Sequence, residues 1–167
     1  RGLDRIIGRI KRTWPAAGLG RVALDIGYYA NIVDLQGVQV AITTDGVGTK
    51  AIVAQMLGRY DTVGIDCIAM NVNDLICVGA RPVTLVDYIA TQTADSELLD
   101  QLAAGLCAGA ETAGISISGG EIAQLPEIIT GQPHGKAFDL AGTAIGVLPP
   151  SGPVIGEGIG EGDAVVG

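Results

Sequence analysis

The sequence predicts a mixed α/β (α+β) fold in which helices are layered on a mixed sheet. Segments with apolar residues at helical spacing alternate along the chain with β-branched apolar runs, and few segments resemble plain hairpins. With 167 residues, 48% of them hydrophobic, the chain is long and apolar enough for a buried core. We therefore expect a single domain over residues 1–167.

Helices are predicted from apolar spacing and from the residues that begin or end them. Pro15 ends the first helix, Gly58 and Gly79 end the next two, and Asp95 begins a helix that stops at Gly114. In chain order, we predict helices over residues 3–14, 51–57, 61–79 and 95–114.

Strands are predicted where β-branched and apolar residues run without helical spacing. These runs cover residues 38–44, 82–90, 115–118 and 139–148, and a further strand is expected to begin at 164–166. Residues 17–32 and 124–136 are interpreted as loops. The glycine- and proline-rich stretch 149–162 is interpreted as a loop near a domain boundary.

The composition argues against several classes of function. A net charge of −8, from 10 basic and 18 acidic side chains, disfavours nucleic acid as a partner. No run of 18 apolar residues is present, so no membrane span is expected. Cys67, Cys77 and Cys107 form no disulfide or zinc pattern, and we expect buried free thiols in a reducing, cytoplasmic compartment.

The most informative segment is the run from Thr44 to Lys50, which follows a predicted strand. Gly46 and Gly48 allow a sharp turn and a close approach to a ligand. Asp45 offers hard oxygens to Mg²⁺, whereas Thr49 and Lys50 offer donors to phosphate. The alternative is a hairpin-type turn that carries a surface lysine.

A second polar cluster lies on the predicted helix 61–79. At ~100° per residue, Asp66, Met70, Asn73 and Asp74 fall on one arc, opposite an apolar arc. Carboxylates on a largely buried helix need a partner, and a hard divalent cation suits them. The alternative is a polar stripe that faces solvent.

Glu121 is a third candidate ligand, because it follows Gly119 and Gly120 at the end of a predicted strand. Two glycines at that place indicate close backbone approach to a ligand or to another chain, although a tight turn with an exposed glutamate explains them equally well. Taken together, the three segments resemble a Mg²⁺–nucleotide site. The sequence contains neither of the standard glycine-rich nucleotide motifs, so any ATP site here is of another kind.

At these residues the chain resembles aminoimidazole ribonucleotide synthetase, a family also called phosphoribosylformylglycinamidine cyclo-ligase. The resemblance covers the N-terminal domain of that family, with its motifs in the same order and at the same spacing. The matching segments are residues 8–11, 44–50, 60–66, 71–75, 79–82, 87–88, 119–121 and 139–142.

The resemblance implies an activity and a fold. Members of this family use ATP and Mg²⁺ to cyclise formylglycinamidine ribonucleotide to aminoimidazole ribonucleotide in purine synthesis. ATP phosphorylates the formyl oxygen, and the amidine nitrogen then displaces phosphate. The resemblance also implies a homodimer whose two sheets pair into a barrel, and a C-terminal domain that this chain lacks, so we expect the 167 residues alone to be inactive.

The resemblance also implies roles for individual residues. Lys11, Asp45 and Lys50 correspond to catalytic positions, although an exposed helix lysine is the alternative for Lys11. Nucleotide contacts are implied for Gly46, Gly48, Thr49, Lys50, Asn73, Gly119 and Gly120, and metal contacts for Asp45, Asp66, Asp74 and Glu121.

The chain departs from the family pattern at Gln124, where the family has a glutamate, so one polar contact is in doubt. Two alternative functions stay open. One is a related ATP-dependent kinase or synthetase with another substrate, and the other is a non-catalytic nucleotide-binding or dimerisation module.

Overall fold

The computed structural model describes residues 2–166, which contain a six-stranded sheet and four α-helices. A short 3₁₀ helix, Lys11–Thr13, follows the first α-helix. The elements are α1 (Gly2–Ile10), β1 (Arg21–Val22), β2 (Asn31–Leu35), β3 (Val38–Gly46), α2 (Lys50–Leu57), α3 (Asp61–Cys77), β4 (Arg81–Thr91), α4 (Ser96–Ala113), β5 (Ser116–Gln124) and β6 (Phe138–Val147).

The sheet is mixed, with strand order β1-β2-β3-β6-β4-β5. Only β4 and β5 are parallel neighbours among the described strands, and α4 supplies the crossover between them. The remaining pairs are antiparallel. This confirms the predicted α/β class with a mixed sheet.

The two faces of the sheet differ in what covers them. On β6, residues at alternate positions from Phe138 to Gly146 are buried, and α3 packs over them and over neighbouring β3 and β4. We call this side the helix-covered face. The opposite side, the open face, carries partly exposed apolar side chains: Val38, Ile42, Val86, Tyr88, Ile145 and Val147.

Helices α3 and α4 pack closely because glycines lie between them. A Cβ on Gly64 would lie 2.6 Å from both Leu102 O and Leu106 N. A Cβ on Gly105 would overlap the carbonyl of Asp61. The close approach holds α3 between α4 and the sheet, with Ile68 and Leu75 almost fully buried.

Several predicted helix ends are confirmed. The Asp95 carboxylate accepts the Leu98 N–H (2.9 Å) at the start of α4, and α4 ends at Gly114 with φ +66°, a conformation that glycine adopts without strain. The first helix is shorter than predicted: α1 stops at Ile10, and no residue of α1 is buried.

Other predictions were wrong. Residues 17–32 are not only loop, because β1 lies within them and β2 begins at Asn31; glycines obscure this pattern of short paired segments. Strand β5 runs on to Gln124, since pairing with β4 outweighs the two glycines. Residues 164–166 do not form the expected strand.

Burial was also overestimated at particular helix positions. Cys67 is buried, but Cys77 and Cys107 are exposed, at the end of α3 and on the outer side of α4. Ile65 and Ile76, which helical spacing places mainly on the apolar arc of α3, are exposed as well, so this arc is narrower than predicted. Within residues 2–166, no helix has the length and apolar character needed to cross a membrane.

We predict that Gly105→Ala lowers the free energy of unfolding by about 3 kcal/mol, because the new methyl group meets backbone that cannot move aside. The matched control is Gly8→Ala in α1, where an added methyl meets nothing within 4 Å and the higher helix propensity of alanine is neutral or slightly stabilising. Urea unfolding measures both. Equal stability of the two variants would contradict the packing described here.

Candidate nucleotide and metal site

The predicted phosphate loop connects β3 to α2 at the exposed end of the sheet. Val47 anchors it: the side chain is buried and its N–H donates to Leu140 O (2.9 Å). Gly48 follows with φ +57°, the left-handed conformation expected of a tight turn. Gly48, Thr49 and Lys50 are exposed at the start of α2, where backbone N–H groups lack intrahelical acceptors. The prediction for Gly46 was inaccurate, since Gly46 is still in the strand.

Asp45 is held by a residue that sequence reasoning did not select. Asn71 of α3 is fully buried and accepts the Asp45 N–H at its Oδ1 (3.1 Å). Its Nδ2 donates to Asp45 O (3.3 Å) and to Cys67 O (2.9 Å). The sequence does contain a signal for Asn71, because it is an amide four residues after Cys67 on the core side of an apolar helix. A buried amide needs several hydrogen-bond partners.

Lys50 and Asp66 form an ion pair between α2 and α3. The Lys50 Nζ lies 2.5 Å from Asp66 Oδ2 and donates to the sulfur of Met70 (3.1 Å). Both charged side chains are between one third and one half exposed (46% and 39%). The proposed phosphate ligand and one proposed metal ligand therefore neutralise each other in this structure, within reach of solvent.

Asp74 contacts β3 from about two helical turns beyond Asp66 along α3. The buried Thr43 hydroxyl donates to Asp74 Oδ2 (2.9 Å) and also lies 3.2 Å from Tyr29 O. Asn73, the neighbouring candidate, is exposed. The helix therefore presents Asp74 towards β3, whereas Asn73 faces solvent.

A row of residues crosses the helix-covered face at the level of Asp45. The register places Asp45 beside Gly142 of β6, Gly142 beside Asp87 of β4, and Asp87 beside Gly120 of β5. A Cβ on Gly120 would overlap the Asp87 carboxylate, so this glycine provides the space that Asp87 occupies. Asp87 is a second residue that sequence reasoning did not select for the site.

The titratable side chains of this row are acidic. Burial raises the pKa of the Asp87 carboxyl, and within residues 2–166 no lysine or arginine pairs with it. Burial, followed by the charges of Asp87, Asp45 and Asp66, raises the pKa of the Cys67 thiol to about 12. Three carboxylates thus act on one buried point, and a cation would relieve their repulsion.

Lys11 pairs with a residue outside the predicted phosphate loop. Its Nζ forms an ion pair with Asp25 (2.6 Å to Oδ1) and lies 5.5 Å from the centre of the Trp14 ring. The hydrogen bond from Lys11 lowers the pKa of Asp25. Lys11 is therefore engaged by residues that lie before β2.

Glu121 is on the opposite side of the sheet from Asp45. It pairs in register with Tyr88, one position past Asp87 and Gly120, so its side chain belongs to the open face. Among residues 2–166, no three histidine, cysteine, aspartate or glutamate side chains are grouped so that they could hold a metal ion. The structure brings Asp45 and Asp66 near Cys67 and joins Asp74 to Thr43, but it does not bring Glu121 to them.

The donor set still fits Mg²⁺. This ion commonly takes one or two protein carboxylates and completes its shell with water and phosphate oxygens, so a cage of three carboxylates is not required. Asp45 Oδ1 accepts the Gly46 N–H (2.8 Å), whereas Oδ2 has no hydrogen-bond partner within the described residues. Hard oxygens beside an exposed, glycine-containing loop are suitable ligands.

A family model, AIR synthase related protein, N-terminal domain, matches residues 27–148. The chain belongs to this family. The match includes the loop 44–50, all of α3 and the strand pairs that carry Asp45 and Asp87.

The chain is also similar to curated proteins. It is 50% identical over 169 residues to a phosphoribosylformylglycinamidine cyclo-ligase of Thermococcus kodakarensis, an alignment that covers 100% of this chain and 49% of the relative. The chain therefore spans about half the length of the curated relatives that it matches.

Two solved structures share the fold. The protein tt0281 from Thermus thermophilus superposes with a TM-score of 0.68 at 18% identity, over 90% of this chain and 45% of that one. AaThiL complexed with AMPPCP and TMP superposes with a TM-score of 0.65 at 16% identity, over 87% and 41%. These likenesses show the fold of the AIR synthase related domain.

Because its pKa is raised in the folded state, Asp87 binds a proton up to a higher pH in the folded chain than in the unfolded chain. Its contribution to stability is therefore greatest below its ordinary pKa of 3.8 and falls as pH rises through the folded pKa. We predict that Asp87→Asn removes this fall and makes the chain more stable than the unsubstituted protein at neutral pH.

Urea unfolding in magnesium-free buffer at a series of pH values measures the effect. Asp100→Asn changes an exposed carboxylate on α4 and is the matched control. A constant stability difference between Asp87→Asn and the unsubstituted chain at all pH values would show that burial does not act on Asp87 in this way.

Proposed function

We propose that this chain is the N-terminal half of an ATP-dependent cyclo-ligase that converts formylglycinamidine ribonucleotide to aminoimidazole ribonucleotide. The observation that carries the proposal is 50% identity to a phosphoribosylformylglycinamidine cyclo-ligase along the whole chain. The carboxylates and the exposed phosphate loop on the helix-covered face supply suitable chemistry for it.

We propose that this loop and its neighbours bind Mg²⁺–ATP. Gly46, Gly48 and Thr49 present backbone and hydroxyl groups, and Lys50 moves from Asp66 to a phosphate oxygen when nucleotide binds. We propose that one or two of Asp45, Asp66 and Asp74 bind Mg²⁺ directly and that the others contact it through water; the bound ion would neutralise phosphate charge. Such an exchange needs little rearrangement, because the Lys50–Asp66 pair is exposed and exposed pairs are weak.

The remaining candidates lie outside this group. We propose that Asn73 contacts the nucleotide from the exposed side of α3. Gly119, Gly120 and Glu121 on the edge strand β5 join the site through a nucleotide that spans the sheet edge. For Lys11, catalysis requires release from Asp25, an exposed pair that is readily broken.

The proposed reaction transfers a phosphoryl group and then closes a ring. The formyl oxygen attacks the γ-phosphorus of ATP and ADP leaves. The amidine nitrogen then attacks the activated carbon and inorganic phosphate leaves. Phosphoryl transfer depends mainly on positioning and charge neutralisation, which carboxylates, a lysine and backbone N–H groups provide.

We also propose a homodimer in which the open faces of two chains pair into a barrel. The exposed fractions of Val38, Val86, Tyr88 and Ile145 range from 52% down to 38%, an apolar surface that an isolated sheet does not usually leave in water. Free thiols at Cys67, Cys77 and Cys107 fit a reducing compartment, and we propose the cytoplasm.

We predict that Asp45→Asn lowers kcat/KM of the complete gene product about 100-fold, because a site that stabilises transferring phosphate loses one charge. The assay combines ATP, Mg²⁺ and formylglycinamidine ribonucleotide and measures ADP and the imidazole product. Cys107→Ser, exposed on α4, is the control.

The unsubstituted protein in the same assay discriminates between functions. ATP turnover only with another acceptor would favour a related kinase or synthetase. Nucleotide binding without turnover would favour a non-catalytic module.

We predict that Ile145→Lys makes the protein monomeric, because a charge in the middle of the open face cannot be buried without a partner. Light scattering coupled to size-exclusion chromatography measures the mass. Ile76→Lys, exposed on α3, is the matched control and should leave the dimer intact. A monomeric unsubstituted protein would contradict the barrel.

A further inference from the structure

Strand β3 extends beyond the strand that flanks it. Pairing with β2 ends at Ile42, opposite Asn31, whereas pairing with β6 continues to Gly46, opposite Ala141. Asp45 faces Gly142 on β6, and within residues 2–166 no strand pairs with its other edge. A backbone N–H and C=O at such a position need partners from elsewhere.

Asn71 supplies both partners from α3. Its amide accepts the Asp45 N–H (3.1 Å) and donates to Asp45 O (3.3 Å), the same pair of bonds that a neighbouring strand would make. A third bond, to Cys67 O (2.9 Å), fixes the amide to its own helix. One buried side chain thus takes the place of the missing strand at a single residue.

Space for this amide comes from Gly142. A Cβ at that position would lie 2.9 Å from Asn71 Nδ2 and 2.8 Å from Leu85 Cδ1. Because glycine is present, α3 lies close enough to the sheet for the short amide side chain to reach the strand.

The Asp45 carboxylate is oriented as a result. With the peptide fixed by Asn71, Oδ1 accepts the Gly46 N–H (2.8 Å), and Oδ2 is left for a ligand. We propose that Asn71 is a positioning residue: it fixes the main chain of Asp45 and thereby the orientation of the carboxylate towards Mg²⁺–ATP. This inference rests on the proposed function and adds to it a residue that contacts neither metal nor nucleotide.

The test compares Asn71→Ala with Val72→Ala in the complete gene product. Val72 is the adjacent buried residue of α3 and makes no hydrogen bond to Asp45, so its variant controls for general loosening of the helix. ATP binding is measured by calorimetry at a series of Mg²⁺ concentrations. We expect about a tenfold weaker apparent affinity for Mg²⁺ in Asn71→Ala, the effect typical of groups that orient metal ligands, and less than about a twofold change in Val72→Ala.

A second readout does not need nucleotide. Amide hydrogen exchange at Asp45 should become at least about tenfold faster in Asn71→Ala, because the Asp45 N–H loses its acceptor, and stay unchanged in Val72→Ala. If Asn71→Ala does not fold, Asn71→Ser keeps a polar group that is too short for both bonds and should show the same acceleration.

The outcomes separate the two proposals. Absence of Mg²⁺-dependent ATP binding in the unsubstituted protein would overturn the proposed function, and this inference with it. If that binding is present, equal Mg²⁺ affinities for Asn71→Ala and Val72→Ala, or unchanged exchange at Asp45, would overturn the role of Asn71 alone.

Discussion

The close approach of α3 to the sheet is the constraint on which the rest of the structure depends. Gly142 allows this approach on the sheet side, and Gly64 and Gly105 allow it on the side of α4. The consequence is a helix held between two surfaces with little freedom to shift. Side chains from α3 therefore reach the strand that carries Asp45, and the candidate site follows from this packing.

The same packing explains why the site is acidic. Asp45 and Asp87 flank Gly142, and Asp66 approaches from the helix, so three carboxylates act on the Cys67 thiol. Lys50 neutralises Asp66 from the start of α2. With one paired and two unpaired carboxylates, this arrangement favours a bound cation.

The sequence predicted those features that depend on local patterns. The elements from Val38 to Gly114 were found nearly in place, because helix ends at Gly58 and Gly114 and the cap at Asp95 have local signals. Strands β1 and β2 were missed, since their stability comes from pairing and not from their own composition. The exposure of Cys77 and Cys107 depends on which side of each helix packs against a neighbour, which spacing alone does not determine.

In the candidate site, Asp45, Lys50 and Asp66 were recognised because they lie in short motifs. Asn71 and Asp87 were not selected, because their importance arises from register: one fills the gap beside a strand, and the other occupies the space over a glycine on the adjacent strand.

The two faces of the sheet carry different kinds of side chain. Side chains alternate along each strand, so Asp45 and Asp87 point to the helices while Tyr88 and Glu121 point to the open face. A surface that is both apolar and acidic would suit neither a barrel nor a metal site. Alternation lets one short stretch of β4 serve both, with Asp87 facing the site and Val86 and Tyr88 facing the proposed partner. The proposed nucleotide site and the proposed partner surface therefore depend on the same strand register, since a shift by one residue would exchange the two faces.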